Sequence, residues 1–113
     1  MVARVTHYRI RTGKLEEFSA LLESLVALID KRRGFRVLIS LRGEEKDSRD
    51  VTSISVWETK EDLHASDNDK AYYAAVARLM KCCESFSPMH EQDVLVSKFP
   101  AGDAVLKAEK ASR

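Results

Sequence analysis

Three histidines, His7, His64 and His90, are the side chains of this chain best suited to moving a proton near neutral pH. One tryptophan, Trp57, and the adjacent Tyr72 and Tyr73 supply aromatic surface and hydroxyl groups. A histidine could act as a positioned base, and a tyrosine hydroxyl could hydrogen-bond a ligand. Each also has a plainer role. His64 ends a short helix and could simply face solvent there. The pattern leaves undecided which face of the sheet His7 occupies, and His90 follows a proline in a loop. Trp57, at a strand end, could pave a ligand site or pack a core or interface. Tyr72 and Tyr73 project from different faces of one helix, so at most one of them lines a pocket. Metal binding has little support, because the histidines are widely spaced and neither Cys-x-x-Cys nor His-x-x-x-His occurs. The four glycines are isolated, so no phosphate-cradling loop is present, and a nucleotide cofactor is not expected. No metal and no cofactor is therefore the expectation.

The chain that must position these residues has 113, room for one domain and one core. Apolar residues make up 44% and charged ones 33%, the balance of an ordinary globular protein. Nineteen basic against eighteen acidic side chains leave +1, so no global field recruits nucleic acid or an anionic membrane. Lys31-Arg32-Arg33 is read as the basic close of a helix, opposite the negative end of its dipole. No apolar run approaches the roughly 20 residues a bilayer requires, and the first residues lack a secretory signal, so cytoplasmic residence is expected. Cys82 and Cys83 are adjacent, which is poor geometry for a disulfide. Reduced thiols are expected, one facing the core and one near the surface.

Val2 to Arg11 mixes β-branched, aromatic and polar residues as a strand does. Thr12-Gly13 breaks it and can cap a helix. Leu15, Phe18, Leu22, Leu25, Val26 and Ile29 then recur at helical spacing up to Gly34, a left-handed stop. Phe35, Val37, Ile39 and Leu41 alternate as a second strand, and the charged stretch from Gly43 to Asp50 is a hairpin loop. Val51 to Trp57 is a third strand, with Thr52, Ile54 and Val56 on one face and Ser53, Ser55 and Trp57 on the other. Thr59 to Asp62 resembles a capping box opening a short helix through His64. A second cap signal at Ser66–Asp69 starts a helix carrying Tyr72, Val76, Leu79, Met80 and Cys83. After Pro88 a last strand is read from Glu91 to Phe99, and residues 100–113 form a tail outside the domain of residues 1–99.

This order, strand-helix-strand-strand-helix-strand, is the ferredoxin-like α+β arrangement, an antiparallel sheet with helices on one face. The other face is left bare and partly apolar. A second copy, packed sheet to sheet about a two-fold axis as a dimeric α+β barrel, is the economical cover.

The chain resembles the antibiotic-biosynthesis monooxygenase family of dimeric α+β barrels. The resemblance rests on the opening strand with Thr12-Gly13-Lys14 and Glu16-Glu17-Phe18. It continues through Ser55 to Leu63 (Ser-Val-Trp-Glu-Thr-Lys-Glu-Asp-Leu), the Tyr72-Tyr73 helix and the closing strand. It implies a homodimer whose ligands sit in a cleft between the sheet and the second helical segment. Some members oxidise polycyclic phenols to quinones with molecular oxygen and no metal or flavin; others degrade haem. The haem-degrading branch would place an asparagine near Thr6, a tryptophan near Ser66 and a histidine near Val76. None is present here, which argues against that activity. A histidine common in other members also falls near Ser66, with His64 two places early.

Carried over, the resemblance implies a cofactor-independent monooxygenase acting on a small phenol or quinol. His64 would be the base, with Trp57, Tyr72, Thr6 and His7 around the substrate. The alternative is a non-catalytic dimeric module of the same fold that binds a small ligand or a partner.

Overall fold

A computed structural model describes residues 1–87 and 89–99. In chain order the elements are β1 (Val2–Ile10), α1 (Leu15–Ile29), β2 (Phe35–Arg42), β3 (Asp50–Trp57), α2 (Lys60–Ala65), a 3-10 turn (Ser66–Asn68), α3 (Lys70–Lys81), β4 (Cys83–Phe86) and β5 (His90–Asp93). All pairings are antiparallel, in the order β2-β3-β1-β4, and β5 also pairs with β1. This is the ferredoxin-like α+β sheet that the alternation of strands and helices predicts.

The edge beside β1 departs from expectation. The helix of Tyr72 stops at Lys81 rather than Cys83, because the Cys82 carbonyl turns to accept the Arg11 N–H at 2.8 Å. A strand segment begins at Cys83 and a second ends at Asp93, in place of one strand from Glu91 to Phe99. Residue 88 lies between them, outside the described residues, and is a proline, which has no amide hydrogen to offer a ladder. Both cysteines are buried, not one. Burial pushes both thiols up, that of Cys83 to about 11, so they stay protonated near neutral pH. The tail of residues 100–113 lies outside the described residues.

Helix starts and stops follow local chemistry. Thr59 accepts the Asp62 N–H at 3.0 Å and Asp69 accepts the Tyr72 N–H at 2.9 Å, capping α2 and α3. No side chain caps α1, so Thr12 does not act there; Gly13 only turns the chain at φ 77°. Helix α1 ends at Ile29, before the basic triplet, whose members do other work. Arg32 is ion-paired with Asp69 at the start of α3, and Arg33 with Asp62 of α2. Gly34 has φ 82°, and a Cβ there would meet Asp62 at 2.2 to 2.6 Å. Only glycine tolerates both.

Alternation along β1 and β3 decides what lies under the helices. On β1 the inner residues are Val2, Arg4, Thr6, Tyr8 and Ile10, and on β3 they are Val51, Ser53, Ser55 and Trp57. The ends of this face are apolar and the middle is polar. One core cluster joins Tyr8, Ile10, Phe18, Val51, Leu79 and their neighbours. A second joins Val2, Ile29, Trp57 and Leu63. Arg4 and Thr6, paired in register with Ser55 and Ser53, lie between the two clusters. The opposite face carries Ala3, Val5, Val37, Ile39, Leu41, Ile54 and Val56, with Ile39 and Leu41 about half exposed. No helix covers it. Among the described residues, no helix is long and apolar enough to cross a membrane.

Candidate functional site

The polar middle of the inner face is the floor of a cavity roofed by α1 and α3. Two adjoining pockets that share four lining residues form its two chambers. The inner one, about 40 Å³, is lined by Arg4, Thr6, Tyr8, Ser53, Ser55 and Tyr72, with Leu22, Leu25 and Leu38 beside them. The outer one, about 350 Å³, is lined by Asp67, Tyr73, Ala77 and Met80. Arg4, Tyr72, Val76 and Met89 line both. A polar pit beneath a mostly apolar vestibule suits a flat apolar body carrying an oxygen-bearing end.

Arg4 sits at the junction. Its side chain is only 9% exposed, and Nη1 and Nη2 donate to the two carboxylate oxygens of Asp67 at 2.8 and 2.9 Å. This is the bidentate geometry that a guanidinium makes best. Glu91 of β5 stands 3.7 Å from Nη2, an ion-pair distance but too long for a hydrogen bond. Among the described residues, Arg4 Nε is enclosed and has no hydrogen-bond partner. Asp67 holds the guanidinium's pKa above its ordinary value despite burial. In return the Arg4 hydrogen bonds hold the Asp67 carboxyl below the usual carboxylate range. Burial pushes the Tyr8 hydroxyl up to about 12, and it raises Tyr72 against the opposing pull of Arg4. Both phenols are therefore protonated at neutral pH and serve as neutral hydrogen-bonding groups.

Of the residues picked out from the sequence, Thr6, Tyr72 and Tyr73 come together in this cavity, so both tyrosines line it where at most one was expected. His90 is exposed at the start of β5 rather than in a loop, and the other three also stand elsewhere. Trp57 is buried in the second core cluster, edge-on to Phe35 at 5.3 Å, with its Nε1–H donating to Ser55 at 3.2 Å. His7 lies on the opposite face of the sheet, where Nδ1 is 2.9 Å from the Thr52 hydroxyl. His64 is about half exposed on α2, its Nε2 2.9 Å from Glu91, which in turn stands 3.7 Å from Arg4. The hydrogen bond from His64 holds Glu91 below its ordinary pKa. Val76 lines both chambers and Thr6 the inner one, so two positions compared with the haem-degrading branch do face the cavity. Ser66 is buried and donates to the Leu63 carbonyl.

Arg4, Asp67, Ser53, Ser55 and Met89 were not singled out from the sequence. The signal was present for Arg4, Ser53 and Ser55, since polar residues interrupt the apolar alternation of β1 and β3 at mid-strand. Among the described residues, no three His, Cys, Asp or Glu side chains are grouped as metal ligands would be.

Residues 1–78 match the family described as antibiotic biosynthesis monooxygenase. A search of curated proteins finds no match. Among solved structures the chain is similar to a mutant of SnoaB, a cofactor-independent oxygenase from Streptomyces nogalater. The identity is 16% and the TM-score 0.76, over 85% of this chain and 94% of that one. It is similar to a conserved protein from Methanosarcina mazei Go1, at 16% identity and TM-score 0.69, over 80% and 87%. A Chloroflexus aurantiacus J-10-fl protein, provisionally named for the same family, aligns at 17% identity and TM-score 0.72, over 89% and 98%. At these identities the likeness shows a shared fold.

Proposed function

Because the chain belongs to the antibiotic biosynthesis monooxygenase family, we propose that it oxidises a small phenol or quinol with molecular oxygen and no bound cofactor, in the cavity between its sheet and α3. The observation that carries this reading is the two-chamber cavity, polar at the floor and apolar above. SnoaB, of the same fold, is named a cofactor-independent oxygenase.

The chemistry asks the protein mainly for position and dryness. A phenol becomes a better electron donor when its O–H bond is polarised by a hydrogen bond, and its electron and proton then pass together to oxygen, leaving a phenoxyl and a hydroperoxyl radical and no phenolate at the floor. Recombination forms a peroxide, and loss of water leaves a quinone carbonyl. One oxygen atom enters the product and the other leaves in water, so no outside reductant is needed. In this site the substrate hydroxyl donates to Asp67 and accepts from Arg4 and Tyr72, while Val76, Met80 and Met89 pack against the ring. His64 is assigned a positioning role: it orients Glu91, which flanks Arg4. His64→Ala is therefore expected to keep turnover within about fivefold of the parent; abolished turnover with an intact fold would restore it as the base. The working unit is a cytoplasmic homodimer joined through the bare sheet face, whose apolar residues are otherwise left to solvent.

Oxygen uptake by the metal-free protein, offered a panel of polycyclic phenols and quinols, tests the reading. Uptake above autoxidation, lost on heat denaturation, is the expected result. A folded protein that shows none supports the second reading, a non-catalytic binding module, which the lack of a histidine in the cavity among the described residues favours.

A further inference from the structure

The charges around Arg4 bear on which oxygen the cavity accepts. The guanidinium is already neutralised by the bidentate Asp67 carboxylate, and Glu91 adds a second negative charge 3.7 Å away. The floor beside it is built of hydroxyl groups, from Thr6, Tyr8, Ser53 and Tyr72. A ligand anion placed there would meet a cation whose charge is spent and two carboxylates that repel it. A hydroxyl or carbonyl oxygen meets no such cost. It accepts from N–H and O–H donors, and a hydroxyl can also donate to Asp67. Arg4 Nε–H, enclosed without an acceptor among the described residues, is a donor still to be satisfied, and such groups are rare in folded proteins unless a water or ligand fills the place.

We propose that the Arg4–Asp67 pair is the specificity determinant of this cavity. It seats the neutral oxygen of a phenol or quinone at the junction of the two chambers and turns away carboxylates of the same ring size. This rests on the proposed function in placing an aromatic ring in the outer chamber, and it adds the residue pair that selects the head group. Arg4 supplies the donors. Asp67 keeps the donor edge from acting as an anion trap, and also accepts from a hydroxyl. Neither residue needs to change protonation state for this selection to operate near neutral pH.

The test is a binding measurement, so it does not depend on turnover. Titration calorimetry of the full chain at pH 7 compares 2-naphthol, neutral at that pH, with 2-naphthoate, an anion of similar shape. The parent protein is expected to bind the naphthol at least tenfold more tightly. Asp67→Asn frees the guanidinium charge while keeping the side chain's size. It is expected to reverse the order, with naphthoate gaining at least tenfold. Tyr72→Phe removes one donor without altering charge and is expected to weaken both compounds severalfold, leaving their ratio unchanged. Equal affinities in the parent, tighter naphthoate, or binding of neither compound would each overturn the proposal. If Asp67→Asn does not fold, the parent comparison and Tyr72→Phe still decide it. Oxygen uptake with selectivity absent would sink this inference alone. Selectivity with no uptake on the phenol panel would leave it standing and tell against the oxygenase reading.

Discussion

Removing the Asp67 carboxylate should expose how much the site's charge pair matters to the fold. In Asp67→Asn the Arg4 guanidinium keeps its charge but loses both short hydrogen bonds. Its side chain is 9% exposed and Glu91 stands 3.7 Å away, so neither water nor another carboxylate replaces them without movement. Breaking a fully buried pair costs about 3–5 kcal/mol, whereas an exposed pair is worth about 0–1 kcal/mol. Here one partner is buried and the other is 44% exposed. An intermediate cost of about 2 kcal/mol follows, and at about 4 °C per kcal/mol for a chain of this size it lowers Tm by roughly 8 °C. The double variant Arg4→Met/Asp67→Asn removes the stranded charge and fills the arginine stem's space. It should recover about 1 kcal/mol relative to Asp67→Asn. Urea and thermal unfolding at pH 7, followed by circular dichroism, measure all the corners of the cycle. An Asp67→Asn variant within about 0.5 kcal/mol of the parent, or strictly additive single effects, would refute this reasoning.

The same pair sets an acid limit. The folded Asp67 carboxyl titrates below its ordinary value of 3.8, so its contribution is fully present above that pH and is lost as pH falls through the folded value. The parent should thus lose stability more steeply than Asp67→Asn below about pH 4, read from urea midpoints; parallel curves would count against it. Gly34→Ala should destabilise by about 2 kcal/mol or more, from the positive φ and the contact with Asp62. Recovery of that loss by shortening Asp62 would separate the contact from the backbone strain. Ile39→Glu, on the bare sheet face, should halve the mass seen by light scattering at micromolar concentration and leave far-UV circular dichroism unchanged. A dimeric Ile39→Glu protein would argue against association through that face.

Much of the scaffold was legible because its signals are local. The 3.6-residue period from Leu15 to Ile29 and the caps at Thr59 and Asp69 depend on neighbours within one helical turn. The last strand was not legible, since a carbonyl turned by Arg11 and pairing with β1 decide where it starts. The basic triplet was misread for the same reason: the partners of Arg32 and Arg33 lie about 30 residues away. The site was half legible. Residue chemistry drew the eye to histidines and tryptophan, yet the cavity is built where Arg4, Thr6, Ser53 and Ser55 interrupt apolar alternation. That break can be seen in the sequence once the inner face is known. The pairing of Arg4 with Asp67, 63 positions apart, cannot.

The central claim is that phenol oxidation takes place in the chamber under α3. Ala77 lines that chamber and is exposed, so Ala77→Trp should fill it without disturbing either core cluster. The most direct measurement is oxygen uptake by the parent and by Ala77→Trp, side by side, on the best substrate of the phenol panel. The account expects the parent to turn over and the filled variant to fall to the autoxidation rate, with fold and mass unchanged. Equal uptake by both proteins would place the reaction elsewhere and contradict the account.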